Sequence, residues 1–163
     1  MAKLAKLAKL ARTTFETSRL LEFFNERELT MQLGAGKKKW VITLLKEAID
    51  NGLDACETAG IAPVIEIRID QDRFSVKDNG PGLPENTLRR SLDYTVRVSD
   101  KTNYVSPTRG QLGNALKCLY AAPFVVDGEH GLVEIQTLGR RYAIEVKLDH
   151  IQQTPILNVS EEV

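Results

Sequence analysis

The sequence predicts an α+β domain built as a two-layer α/β sandwich: a mixed, mostly antiparallel sheet of about four or five strands with helices on one face. Three observations lead there. A helical pattern runs from about residue 39 to residue 58 and stops before Gly60. Residues 63–70, PVIEIRID, alternate apolar and polar side chains with the period of a strand. Residues 131–137 and 140–148 do the same and meet at Leu138-Gly139, as a hairpin would. At 163 residues the chain suits one domain with a core of its own, and no internal repeat points to a second.

The elements follow in order. Residues 1–16 repeat Ala-Lys-Leu three times with no acid before Glu16. A three-residue period drifts by about 60° per repeat on a helix, so the leucines spiral rather than form a stripe. This basic extension reads as a solvated end, a membrane-surface arm, a targeting segment or a dimer-exchanging strap. Residues 17–25 are expected to be helical, with Thr17 or Ser18 as cap and Leu20, Leu21, Phe23 and Phe24 on the apolar face. Residues 31–39 read as a loop broken by Gly34 and Gly36. The long helix and the strand over 63–70 come next, then a turn at Gln71-Asp72 and a second short strand. Residues 84–92 suggest a short helix. Residues 93–109, polar and aperiodic, read as a loop long enough to close over a ligand. A helix over 112–122 is expected to end at Pro123. The main domain is taken as 17–150, and 151–163 remain an unassigned tail.

Chemistry concentrates in the long helix. At about 100° per residue, Glu47, Asn51 and Asp54 fall within about 60° of one another. Val41, Leu45, Ala48, Ile49 and Cys56 form an apolar arc to one side, with Lys46, Asp50 and Glu57 expected toward solvent on the other. The stripe therefore borders core and water, as a pocket wall does. Glu47 is placed to act as a general base, and the Asn51 side-chain oxygen suits a hard cation such as Mg²⁺. Alone, the helix reads equally as an amphipathic helix with scattered polar residues. A second segment, VKDNGPGLP, puts Asp78 before Gly80 and Gly82, so that a flat ligand can approach closely and the carboxylate can accept from an exocyclic amine. Alone, it reads as a turn. In a third, TRGQLGNALKCL, Gly110 and Gly113 precede a helix, where backbone amides and the helix dipole suit a phosphate.

In this order and spacing, the three segments resemble the GHKL ATPases, which include gyrase B subunits, the ninety-kilodalton heat-shock chaperone, histidine kinases and MutL. Glu47-x-x-x-Asn51-x-x-Asp54-Ala55 is similar to the family's N box, Asp78-x-Gly80-x-Gly82 to its first glycine box, and Gly110-x-x-Gly113 to its second. KEAIDNGLDACETAGIAP, VKDNGPGLP and the RGQ turn most resemble the ATPase domain of topoisomerase VI B subunits. The resemblance covers residues 17–147 and implies a Bergerat-type fold binding ATP and Mg²⁺. It implies that Glu47 activates the water attacking the γ-phosphate and that Asn51 binds Mg²⁺. Asp54 belongs to the same box. Asp78 would recognise adenine, with Gly82 making room for the base and Gly80 part of the same nucleotide-binding box. Gly110, Gln111, Leu112, Gly113 and Asn114 would hold the phosphates. Thr137 is a candidate for the hydroxyl beside the adenine aspartate. ATP-dependent homodimerisation, a topoisomerase-like partner subunit and DNA come as partners by resemblance only.

Two departures bear on activity. Ala115 stands where the second glycine box usually has a further glycine. In topoisomerase VI-like proteins a second domain supplies a lysine to the γ-phosphate, and the chain ends at Val163 without one. The expectation is therefore a fragment of a larger protein, or a member whose lysine comes from elsewhere, with slow hydrolysis by this chain alone. Lys101 and Lys117 are the candidates within it, both expected to face solvent. Two other readings stay open: a nucleotide-dependent regulatory or dimerisation module that does not hydrolyse, and a histidine-kinase-like phosphotransfer domain. The acid at position 47 fits hydrolases better than kinases, and no phospho-accepting histidine helix is visible.

Composition excludes little. Lys plus Arg and Asp plus Glu are each 22, so no global charge argues for nucleic acid. Cys56 and Cys118 read as reduced core residues, and with His130 and His150 they make no zinc-ligand pattern. No apolar run approaches the ~20 residues of a membrane span, and cytoplasmic residence is the expectation.

Overall fold

Asn25 opens the first helix. In the computed structural model, which describes residues 23–94, 115–152 and 154–162, its side chain accepts the Glu28 amide at 2.9 Å and caps α1 (Glu26–Leu33). Glu26 and Glu28 in the first turn suit the helix dipole. This corrects two expectations. Residues 23–25 form a turn instead of ending a helix, and α1 occupies the start of the stretch read as a loop. Residues 17–22 lie outside the described residues, as does the basic extension. Phe23 and Phe24 are buried all the same, stacked edge-on or tilted against Tyr94 with centroids 5.2 and 5.0 Å away.

A short 3₁₀ turn (Lys37–Lys39) leads into α2 (Trp40–Ala59), and the Trp40 indole donates to the Ala35 carbonyl at 3.0 Å. Gly60, at φ 67°, closes α2: its amide reaches Glu57 O, while the Ile61 amide reaches Cys56 O at 2.9 Å. The buried face of α2 differs from the expected arc. Trp40 and Leu44 bury one side of its first half, Gly52 and Cys56 another side of its second half, and Val41 is 55% exposed. The helix serves two neighbours in turn, so no single stripe describes it. Its first half enters the core with α1 and the fourth helix, and its second half meets β1 and β2.

β1 (Ile65–Ile69) and β2 (Phe74–Asp78) form an antiparallel hairpin in which Ile65 faces Asp78. After α3 (Glu85–Ser91), α4 (Ala115–Asp127) precedes a meander of β3 (His130–Thr137), β4 (Arg140–Asp149) and β5 (Thr154–Glu162), paired in that order and antiparallel throughout. The expected hairpin is present. The tail left unassigned supplies β5, whose Leu157 pairs with Val146 and joins the core. Its last residues, Ser160, Glu161 and Glu162, offer no alternation to read, because the outer half of an edge strand has polar side chains on both faces.

Tyr142, Ile144 and Val146 point to one face of β4, where α4 and α3 cover them. Gly131 lets α4 touch β3: a Cβ there would collide with the Phe124 backbone. α4 runs through Pro123 to Asp127, against expectation. Proline removes one amide donor, but Tyr120, Ala121, Ala122 and Phe124 are buried around it and hold both halves on the sheet. The architecture is thus the expected α+β sandwich, although among the described residues the strands form two antiparallel sheets, β1-β2 and β3-β4-β5, instead of one mixed sheet. Among the described residues no helix is long and apolar enough to cross a membrane.

Candidate functional site

Gly52 brings the second half of α2 against the end of β2. A Cβ at Gly52 would stand 3.0 Å from the Asp78 Cβ and 3.1 Å from Ile65 Cδ1, so only a hydrogen lets the strand sit this close. The next contact repeats the device: a Cβ at Gly80 would lie 3.3 Å from Cys56 Sγ and 3.4 Å from the Ala55 Cβ. Residues 52–56 of α2 and 78–80 of the turn therefore form one joint, and Asn51, exposed, stands at its rim. Asp78 is also exposed. Its Oδ1 accepts the Gly80 amide at 2.8 Å, and Oδ2 has no protein donor among the described residues, which leaves an acceptor for an exogenous N–H.

Thr137 closes the other side of the turn. Its buried hydroxyl accepts the Leu83 amide at 2.7 Å and donates to the Leu83 carbonyl at 3.2 Å. Gly82, at φ 81°, leaves it room, since a Cβ there would come within 2.9 Å of the Thr137 hydroxyl. The structure thus ties Thr137 to the glycine turn that Asp78 begins, through backbone bonds that a strand-forming threonine would not need. Thr137→Val removes both bonds and is expected to cost about 1–2 kcal/mol, read as a lower urea midpoint. An unchanged midpoint would show that the turn holds without this hydroxyl.

Two residues that the sequence analysis did not single out shape the site. Gly52 is one, and its only signal was a glycine inside a long helix, where it costs about 1 kcal/mol against alanine. Asn79 is the other. Its Oδ1 accepts the Val64 amide at 2.8 Å and faces Cys56 Sγ at 3.4 Å, while its Nδ2 donates to Ala62 O at 3.0 Å. It therefore pins the link between α2 and β1 to the turn, using a side chain that looked like turn filler.

Glu47 lies one turn before Asn51, half-buried. Burial pushes its carboxyl above the usual range, Asp50 adds to this, and Lys46 opposes it. Lys46 is paired with Asp50 on the outer side, as its place on the helix suggested. Cys118 of α4 shares a buried cluster with Leu44 of α2, and its thiol is pushed up to about 12, first by burial and then by the charge of Glu47. Asp54 is half-buried in the same stripe, and its carbonyl accepts the Thr58 hydroxyl at 2.7 Å. Gly110, Gln111, Leu112, Gly113 and Asn114 lie outside the described residues, as do Lys101 and all but the first two residues of the stretch 93–109 expected to close over a ligand. Lys117 corrects an expectation: at 2% exposure it is buried, with its ammonium on the Asp93 carbonyl instead of in solvent. Among the described residues no three His, Cys, Asp or Glu side chains gather to hold a metal ion. Mg²⁺ suits Asn51 only in company with phosphate and water oxygens, as it commonly binds.

Residues 36–121, more than half of the chain, match the family described as histidine kinase-, DNA gyrase B-, and HSP90-like ATPase. The chain belongs to this family. It is similar to the B subunit of type 2 DNA topoisomerase 6 from Pyrococcus horikoshii, 31% identical over 83% of this chain and 24% of that protein. The B subunit from Thermococcus gammatolerans is 40% identical over 69% of this chain and 20% of its own length. That from Thermococcus onnurineus is 30% identical over 91% and 26%. The chain thus spans about a quarter or less of the length of these relatives. Family membership makes it a GHKL ATPase domain, and the segments that resemble the N box and the first glycine box meet at the joint between α2 and the Asp78 turn.

Proposed function

We propose that this chain is the ATP-binding and hydrolysing domain of a topoisomerase VI B-like protein. The joint at Gly52 carries the reading, because it holds an exposed aspartate with an open acceptor against the helix that also carries the half-buried Glu47. Asp78 accepts from the adenine amine, and Gly82 and Thr137 keep the turn open for the base. From Asp78 a nucleotide runs back along α2, past Asn51, toward Glu47 and the start of α4. Five residues of helix separate Gly52 from Glu47, about 7.5 Å at 1.5 Å per residue, so base and phosphates reach opposite ends of the stripe.

Glu47 takes the proton of the attacking water as its oxygen bonds to the γ-phosphorus and the bond to the β–γ bridging oxygen breaks, releasing ADP and phosphate. Burial raises the basicity of its carboxylate, which improves proton transfer near neutral pH. Asn51 offers its side-chain oxygen to Mg²⁺, which when bound neutralises charge on the phosphate oxygens. By the family resemblance, residues 110–114 would hold the same phosphates. That half-buried carboxylate favours hydrolysis over a module that only binds nucleotide. ATP-dependent self-association, a cleaving partner subunit and DNA complete the proposal, in keeping with the relatives' name.

Calorimetric titration of the whole chain with a non-hydrolysable ATP analogue tests it. Saturable binding that tightens with Mg²⁺ is expected, with Asp78→Asn about tenfold weaker. Well-folded protein that ignores millimolar nucleotide would overturn the reading.

A further inference from the structure

Lys117 is a lysine where lysine is costly, fully buried in the first turn of α4. Its ammonium donates to the Asp93 carbonyl at 2.5 Å and stands 5.6 Å from the centre of the Tyr94 ring. Tyr94 answers in the opposite direction: its hydroxyl donates to the Lys117 carbonyl at 3.1 Å. Burial pushes this phenol well above its ordinary range, so it stays a neutral donor at any physiological pH. Phe23 and Phe24 pack on the ring and leave it little freedom. Two reciprocal bonds therefore clamp Asp93-Tyr94, just past α3, to the start of α4. A methionine would fill the same space but donate nothing to the Asp93 carbonyl.

The clamp sits where the proposed phosphate end lies. Cys118 packs in one core cluster with Leu44, one turn of α2 before Glu47, so the first turn of α4 lies toward that end of the stripe. We propose that Lys117 is a positioning residue for the nucleotide's phosphates, setting the first turn of α4 beside Glu47 through its bonds with Asp93 and Tyr94. The inference rests on the nucleotide-site reading above. It makes Lys117 act through the backbone it holds, without itself touching the γ-phosphate.

Calorimetry of the whole chain with adenosine and with a non-hydrolysable ATP analogue plus Mg²⁺ separates the two ends of the site. Lys117→Met is expected to weaken the analogue about tenfold while adenosine stays within about twofold. Tyr94→Phe, which keeps both ring and charge, should shift the analogue in the same direction by a smaller factor. Ile144→Val loosens the core elsewhere and should leave both affinities alone. A purely structural lysine would spare both ligands in folded protein or weaken them equally, and either result overturns the inference. Should Lys117→Met fail to fold, Tyr94→Phe decides: unchanged analogue binding there overturns it as well. A wild-type chain that binds neither ligand removes the nucleotide reading and this inference together. Wild-type binding with an indifferent Lys117→Met removes only the inference.

Discussion

Glu47→Gln is expected to lower ATP turnover about 10²- to 10⁴-fold, the usual contribution of a positioned base, while nucleotide affinity stays near wild type. The amide keeps the shape of the carboxyl and loses only its capacity to take a proton. Steady-state phosphate release and calorimetry on the same preparation check both halves. Equal measurable turnover in the two proteins would remove Glu47 as the base, and binding without turnover in either would favour the reading in which nucleotide is a signal. The raised pKa of Glu47 carries a second consequence for stability. The folded state holds this proton more tightly than the unfolded chain, so the stabilising contribution is present at low pH and is lost as pH rises through the folded value. Glu47→Gln should therefore melt higher than wild type at neutral pH, and the gap should close on acidification. The acid limb of the turnover profile should fall above the ordinary glutamate pKa for the same reason.

Gly52→Val is expected to destabilise the chain by about 2–3 kcal/mol and to weaken adenosine binding at the same time. The new Cβ would press on the Asp78 Cβ and Ile65 Cδ1, and the two further methyls of valine have no way out of a joint already at 3.0 and 3.1 Å. Alanine is the weaker test, because its gain of roughly 1 kcal/mol in helix propensity offsets part of the overlap. Urea unfolding and an adenosine titration read the two effects. Unchanged stability would mean that β2 slides on α2 easily, and the joint would then not be what aims Asp78.

Much of this was legible because the relevant signals are local. The period of residues 39–58 and the glycine after them specify α2 almost to the residue, since amphipathicity and a left-handed closing residue are both short-range properties. Leu138-Gly139 marks the β3–β4 turn through the positive φ that both residues adopt. Glu47, Asn51 and Asp54 share a stripe by geometry alone. The misreadings share one cause. Phe23 and Phe24 looked like a helix face and are instead part of an aromatic cluster with Tyr94 and Phe124, whose members come from distant parts of the chain. Pro123 looked like a terminator, and burial of its neighbours on β3 and β4 outweighed the lost amide bond.

The order of residues was enough to specify most elements and the chemical kinds of side chain at the site: a helix with an acid and an amide one turn apart, and an aspartate ahead of two glycines. These follow from backbone preference and side-chain period, which act over a few residues. How the elements meet is a property of the folded chain. That α2 turns one face to α1 and α4 and another to the Asp78 turn, that Thr137 is the second wall of that turn, and that Lys117 lies inside and not out, depend on contacts between distant segments, such as Leu83 with Thr137 and α2 with α4. Such contacts are selected by close packing and by the need to pair every buried polar group, and neither condition can be evaluated one segment at a time.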